Sequence, residues 1–428
     1  MPADAADRRP DGRFTHFDGL RGLAALNVAV NHAVVAFDFA VYTGQAEHAH
    51  GYWEVGLSAW PLLLPVAGAN FSVCLFFVLS GLVLAHAFAA TRLGMAALAM
   101  KRLLRLGLPI LAVTLFAWAL HAAGLMVNQA AAVLTRSPWL ASQFRQEASL
   151  AGALREGLYG ALVGPWDFAT SYDSSLWTMS VEFAGSLLLV AVVVTLRRLG
   201  RTEASPGRAA LILLLLGLAL YPLYLSLLAF GAFLFTLLPR LRPRMAPRTC
   251  LGLAALALLL GTVPYSAARG AFWDGLAAIP VKGIGLSWHW IGPAALRMDG
   301  PSACHGIAAV MLVLAVACSP WLRERLSGEG MRYLGRISFP LYLVHIPVLM
   351  SVGCGTLLAA HSAGLAYGAA VAIAVAAYAV VAFGLAALAA RVVEGPAIWL
   401  AGQGGRLVQA GLEAIVDGIR RERTARPS

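Results

Sequence analysis

The chain has 428 residues, 60% of them hydrophobic and only 12% charged, against ~45–50% and ~25% in soluble proteins. That excludes a soluble multidomain enzyme and intrinsic disorder, and five cysteines exclude a disulfide scaffold. The net charge of +11 would suit nucleic acid on a soluble protein, but the arginines fall in short clusters between apolar runs, where they read as topology signals.

The pattern predicts an all-α polytopic membrane bundle of ten spans. They run Asp18–Ala40, Ala69–Ala90, Leu103–Met126, Leu176–Leu196, Ala209–Ser226, Leu227–Leu238, Cys250–Ala267, Ala303–Leu322, Ile337–Leu357 and Gly364–Val393. The sixth is too short for a full crossing. Polar residues with Arg8, Arg9 and Arg13 precede the first span, which does not read as a signal peptide. A cytoplasmic N-terminus places 26 of the 32 Lys and Arg inside and six outside. This favours ten spans with both ends cytoplasmic, and keeps 272–299 outside or re-entrant. Residues 1–400 form the transmembrane domain and 401–428 an amphipathic cytoplasmic tail.

Ionisable groups inside a span cost about 2.5–3.5 kcal/mol at the centre, so each is a functional candidate. In the first span Arg21 and His32 are eleven residues apart, on one face and ~16 Å apart along the axis. The alternative is a snorkelling arginine and a structural histidine. The basic loop Lys101-Arg102-Leu-Leu-Arg105 through Pro109 reads as a topology signal or as an anion site at the membrane edge. In the region 143–161, Leu150, Leu154 and Leu158 recur every four residues, as in an interfacial helix. The fourth span carries Glu182 ~9 Å below the outer surface. His32 comes out at a matching depth, so the carboxylate is expected to orient the imidazole as a general base. The alternative is a structural pairing of Glu182 with an arginine or an indole.

The ninth span holds Tyr342 and His345 on neighbouring faces, with His345 lower in the membrane than His32. His86 and His121 read as structural. His48 and His50 form an HxH in an outer loop, weak metal evidence without a third ligand, so no metal is expected. Cys304 and Cys354 lie near outer helix ends, where an unpaired apolar role is favoured over a disulfide. In the tail, Val408, Leu412, Ile415 and Ile419 line one side, opposite Gln409, Glu413 and Arg420. Eight of eleven tryptophans (Trp53, Trp60, Trp139, Trp166, Trp177, Trp273, Trp288 and Trp290) fall on the outer side. They form an interface belt or a surface for stacking on a sugar.

Six stretches together resemble the membrane-bound acyltransferase 3 family. They are Phe17-Asp18-Gly19-Leu20-Arg21 through His32, Phe76-Phe77-Val-Leu-Ser80-Gly81, Lys101-Arg102-Leu-Leu-Arg105, Leu176-Trp177-Thr-Met-Ser-Val-Glu182, Gly335-Arg336-Ile-Ser338 through Tyr342 and His345, and Val393-Glu394-Gly395-Pro396. The sequence departs from the family at Phe183-Ala184-Gly185-Ser186, where an aromatic pair is usual, and at Gly395, where a basic residue is usual.

The resemblance implies transfer of an acyl group, usually acetyl, from an acyl-CoA to a hydroxyl of a sugar, a cell-surface glycan or a small molecule. It implies no metal. His32, Glu182 and Arg21 are then the catalytic candidates. Arg21, Lys101, Arg102 and Arg105 are the candidates for holding coenzyme A, and Trp177, Tyr342 and His345 for the acceptor. The partners are the lipid bilayer, acyl-CoA and the hydroxyl acceptor, without nucleic acid, and the location a bacterial inner membrane. The alternative is a transporter of an anionic or glycosidic solute, with Arg21 and His32 as binding and proton-relay groups.

Overall fold

The computed structural model describes residues 14–60, 63, 68–164, 166–199, 206–278 and 296–425. Ten main helices follow the expected order: α1 Thr15–Phe37, α2 Ala69–Ala90, α3 Met95–Ala122, α4 Trp177–Arg198, α5 Pro206–Leu220, α6 Leu225–Leu241, α7 Pro247–Leu260, α8 Gly300–Cys318, α9 Glu329–Val348 and α10 Tyr367–Ala389. A long helix α11, Gly395–Ala425, closes the chain. Among the described residues seven helices are long and apolar enough to cross a membrane, while α5, α6 and α7 are shorter apolar helices. No strand is present among them. The sixth segment is longer than expected, because α6 starts at Leu225, directly after a turn pinned by Tyr224 N–H donating to the Leu296 carbonyl at 3.1 Å.

Lipid is as apolar as leucine, so bundle assembly depends on close packing rather than on escape from water. Small residues make that packing possible. The buried stripe of α10 is Ala370, Ala374, Tyr378, Ala382 and Ala386, one residue per turn, and Tyr378 reaches across to donate to the Ala29 carbonyl at 3.2 Å. Helices α2 and α6 cross at Gly81 and Gly231, where each glycine faces the other helix's backbone.

Helices α1 and α9 run parallel: Gly22 lies against Leu334 and Gly335, and His32 meets His345. Helix α11 folds back on the start of α3, with Gly404 against Leu104 and Gln409 Oε1 accepting from Gly94 N–H at 2.9 Å. The end where α1, α3 and α9 begin is called the basic end here, and the opposite one the loop end.

One region is helical over a shorter stretch than expected. Of 143–161, only Leu150–Arg155 and a π-helical turn Glu156–Gly160 are helical; Leu150, Leu154 and Leu158 are exposed. The tail's Leu412, Ile415 and Ile419 are likewise exposed. Trp288, Trp290 and Lys282, like Arg8, Arg9 and Arg13, lie outside the described residues. All five cysteines are free and buried, so Cys304 and Cys354 are not paired.

Candidate active site

Three polar layers are stacked along α9, the outer two completed by α1 and the middle one by the start of α4. The layer nearest the basic end is Ser338, whose hydroxyl accepts from Arg21 Nε at 3.0 Å; Arg21 also pairs with Asp18 at 2.9 Å. One turn on, the Tyr342 hydroxyl donates to the Ser175 carbonyl at 3.1 Å and lies 2.9 Å from the Thr178 hydroxyl. Phe76 of α2 stands edge-on to the Tyr342 ring, centroids 5.5 Å apart. Nearest the loop end is His345, with Nε2 2.9 Å from His32 Nδ1. Ser338 and His345 are seven residues apart, so ~10 Å separates the arginine layer from the histidine layer along the axis.

The expected shared face of Arg21 and His32 is therefore present, and it is the face turned to α9. His345 is level with His32 rather than below it, because α1 and α9 are parallel and in register at this point.

The hydrogen bonds fix the tautomers. His345 Nδ1 lies 2.6 Å from the Tyr342 carbonyl, which can only accept, so Nδ1 carries the proton. His345 Nε2 is then a lone pair and must accept from His32 Nδ1–H. His32 Nε2 is left as an unprotonated nitrogen. Trp139, in the short helix Pro138–Ser142, stacks on the His32 ring with centroids 5.4 Å apart and planes at 12°.

Glu182 is not the partner of His32. It accepts from Arg102 Nη2 at 2.6 Å and from the Ser80 hydroxyl at 2.5 Å, so the arginine pairing is the arrangement found. The depth matching fails because the chain burrows before α4 begins. Ser171–Leu176 is buried throughout. Asp173 caps this segment, accepting from Ser175 N–H at 2.9 Å and its hydroxyl at 2.7 Å. The first turn of α4 thus sits level with Tyr342, and Glu182 lies one turn further toward the basic end, within reach of α3.

This divides the expected coenzyme A ligands. Arg102 turns inward to Glu182, whereas Lys101 is exposed. Arg105 lies 3.6 Å from Glu394. Arg406 of α11 adds a cation close to Lys101, one that sequence reading did not single out. An apolar cavity of about 190 Å³ begins beside Glu394 and extends between α3, α9 and α10 to Leu343 and Val344. Trp177 is turned away from the histidines, edge-on to Tyr224 at 5.4 Å.

Comparison with known families settles the class. A family model described as an acyltransferase domain, Acyl_transf_3, matches residues 14–391. The chain belongs to this acyltransferase family. Neither curated proteins nor solved structures gave a match. Within the acyltransferase domain the motif residues converge: Arg21, Ser338, Tyr342, His345 and His32 line the α1–α9 seam, while Ser80, Arg102 and Glu182 form a second cluster beside it. Sequence reading gave no role to Ser80, Glu394 or Arg406, and placed Trp139 only among the eight outer tryptophans of a belt or sugar-stacking surface. A hydroxyl inside the apolar run Phe76–Leu79 was the available signal for Ser80. Nothing local marks Trp139, because its contact with His32 is made over more than a hundred residues.

Also at the loop end, His50 lies near Asp38 and Glu54. The HxH pair therefore does acquire further candidate ligands, but through His50 and not His48.

Proposed function

We propose that this protein is an integral membrane O-acyltransferase that moves an acetyl or similar acyl group from coenzyme A to a hydroxyl of a sugar or cell-surface glycan. The observation that carries this reading is the relay from the Tyr342 carbonyl through His345 to His32 Nδ1, which makes Nε2 the basic nitrogen of His32, beside an aromatic ring. In the proposed reaction Nε2 takes the proton of the acceptor hydroxyl as its oxygen attacks the thioester carbonyl. The tetrahedral intermediate collapses, the C–S bond breaks, and the thiolate leaves with the proton held on Nε2. His345 accepts a hydrogen bond from the imidazolium throughout. General-base action of this kind is worth typically ~10²–10⁴-fold.

The donor's phosphates would bind at the basic end, where Lys101, Arg105 and Arg406 lie together and Arg21 faces α9. The apolar cavity offers its acyl arm a path from that edge to the level of His345. Trp139 takes the acceptor-stacking role first given to Trp177. Glu182 and Arg102 act on the architecture of the site rather than on the imidazole. Ten crossings with both termini cytoplasmic, in a bacterial inner membrane, remain the topology we propose. The parallel course of α1 and α9, first and ninth in order, supports it.

The test is thioester consumption by purified protein with acetyl-CoA and a thiol reagent, with and without glycan acceptors. His32→Ala should lower acceptor-dependent turnover by at least about 10²-fold with folding intact. His345→Ala should lose less and shift the pH profile. A His32→Ala protein with near-normal turnover would remove the mechanism, and an acceptor-dependent solute flux without thioester consumption would favour the transporter.

A further inference from the structure

The three candidate ligands at the loop end come from separate pieces of chain. Asp38 ends α1, His50 lies in the following loop, and Glu54 is in the first turn of the short helix Tyr52–Ser58. Their ligand atoms all lie within 4.8 Å of one another, and His50 Nδ1 is 3.9 Å from Glu54 Oε1. Two ligands ~2.0–2.2 Å from one ion can be at most ~4.4 Å apart, so the widest pair has only a few tenths of an ångström to close.

Two features leave ligand atoms of this cluster without a partner within the chain. The first is the tautomer of His50. Its Nε2 lies 3.0 Å from the Leu134 carbonyl and must donate to it, so Nδ1 is a lone pair. That nitrogen is buried and has no hydrogen-bond partner. The second is Glu54, which is fully buried. Its Oε1 accepts from the backbone N–H groups of His50 and Gly51 at 2.9 and 3.0 Å, while its Oε2 is buried without a partner. Among the described residues neither carboxylate is paired with a lysine or arginine. Arg136 is nearby, but it donates to the Ala49 carbonyl instead.

The surroundings hold the ligands in place, as outer contacts do around metal-binding histidines. Tyr367 stacks flat on His50 with ring centroids 3.8 Å apart, and its hydroxyl donates to the carbonyl of Phe37, the residue before Asp38.

We propose that Asp38, His50 and Glu54 form a divalent-cation site at the loop end of α1, binding a zinc-class ion through one imidazole nitrogen and two carboxylates. An imidazole nitrogen among the ligands suits zinc better than calcium or magnesium. Three protein ligands leave a position for water. The ion's role is positional. His50 holds Leu134, and Ser137 donates to the Val35 carbonyl at 2.8 Å, so the segment leading to Trp139 is clamped on both sides. An ion on His50 therefore fixes the indole that stacks on His32.

The experiment is metal analysis of the detergent-purified full chain after dialysis against a chelator and reloading with Zn²⁺, alongside thermal unfolding. The wild type should retain one ion per chain and gain Tm on Zn²⁺ addition. Asp38→Asn and Glu54→Gln should each lose both responses, while His48→Ala keeps them. Asp38→Asn leaves the Glu54 contacts to backbone N–H groups untouched, so it reads out metal binding even if Glu54→Gln fails to fold. No stoichiometric Zn²⁺ in the wild type, or the same Zn²⁺ content and Tm gain in Asp38→Asn, overturns the proposal.

Discussion

The Arg102–Glu182 pair sits where neither charge can be well hydrated: their side chains are 9% and 15% exposed. Removing one partner of such a pair leaves the other as an uncompensated buried charge, at a cost of about 3–5 kcal/mol, whereas an apolar replacement of both can be close to neutral. Glu182→Gln or Arg102→Met should therefore lower thermal stability sharply, and Arg102→Met with Glu182→Leu should recover most of it. Lys101→Gln with Arg105→Gln should instead raise the KM for acetyl-CoA and leave Tm nearly unchanged. Equal stability losses in all these variants would show that Arg102 is an ordinary surface cation. Arg102 reads in the sequence as one of a basic loop with Lys101 and Arg105. Only the inward turn of the second helical face of α3 separates their roles.

At the scale of elements, the α1–α9 seam decides whether a site exists. A Cβ on Gly22 would stand 2.6 Å from the Gly335 nitrogen, a separation that real structures do not tolerate. Overpacking costs roughly 1–3 kcal/mol, but here the displacement also moves His32 from His345, three turns away on the same two helices. Gly22→Val should thus lose acyl transfer by far more than its Tm shift suggests, whereas Gly207→Ala, in open space on α5, should change neither. Activity in Gly22→Val close to wild type would mean the histidine contact is dispensable. Helix existence was legible in the sequence because apolar runs of membrane length leave little choice of structure. The first-span stripe of Arg21 and His32 was legible for the same reason, since both lie within one regular helix. The depth of Glu182 was not. Counting from a helix start assumes that the start lies at the membrane surface, and Asp173 and Ser175 supply caps that let this one begin inside the bundle.

For the whole molecule, the arrangement separates a cationic end from an aromatic one. The proposed consequence is that donor and acceptor arrive from opposite faces. In sealed right-side-out vesicles loaded with acetyl-CoA, an impermeant glycan added outside should become acylated, and Trp139→Ala should weaken acceptor use more than Trp177→Ala. Acylation only when both substrates share the cytoplasmic face would make the acceptor a cytoplasmic metabolite.

Between those two ends stands one aromatic ring. Tyr342 is buried, held at its hydroxyl by α4 and braced at its edge by Phe76, with the arginine layer on one side and the histidines on the other. On the proposed mechanism a ring in this position would act as a valve seat, keeping a thioester at His32 from water arriving through the basic end. The quantity at stake is coupling, the fraction of thioesters broken that end on acceptor rather than on water. Tyr342→Phe removes the hydroxyl anchor and leaves the ring. It should fold and still transfer, but its acceptor-independent release of coenzyme A should rise several-fold against the wild type. A variant that stays as tightly coupled as the parent would assign the seal to the surrounding helices instead. On the proposed mechanism a route must open for each substrate without joining the two, and a phenol anchored to a carbonyl one helix away would stand between them.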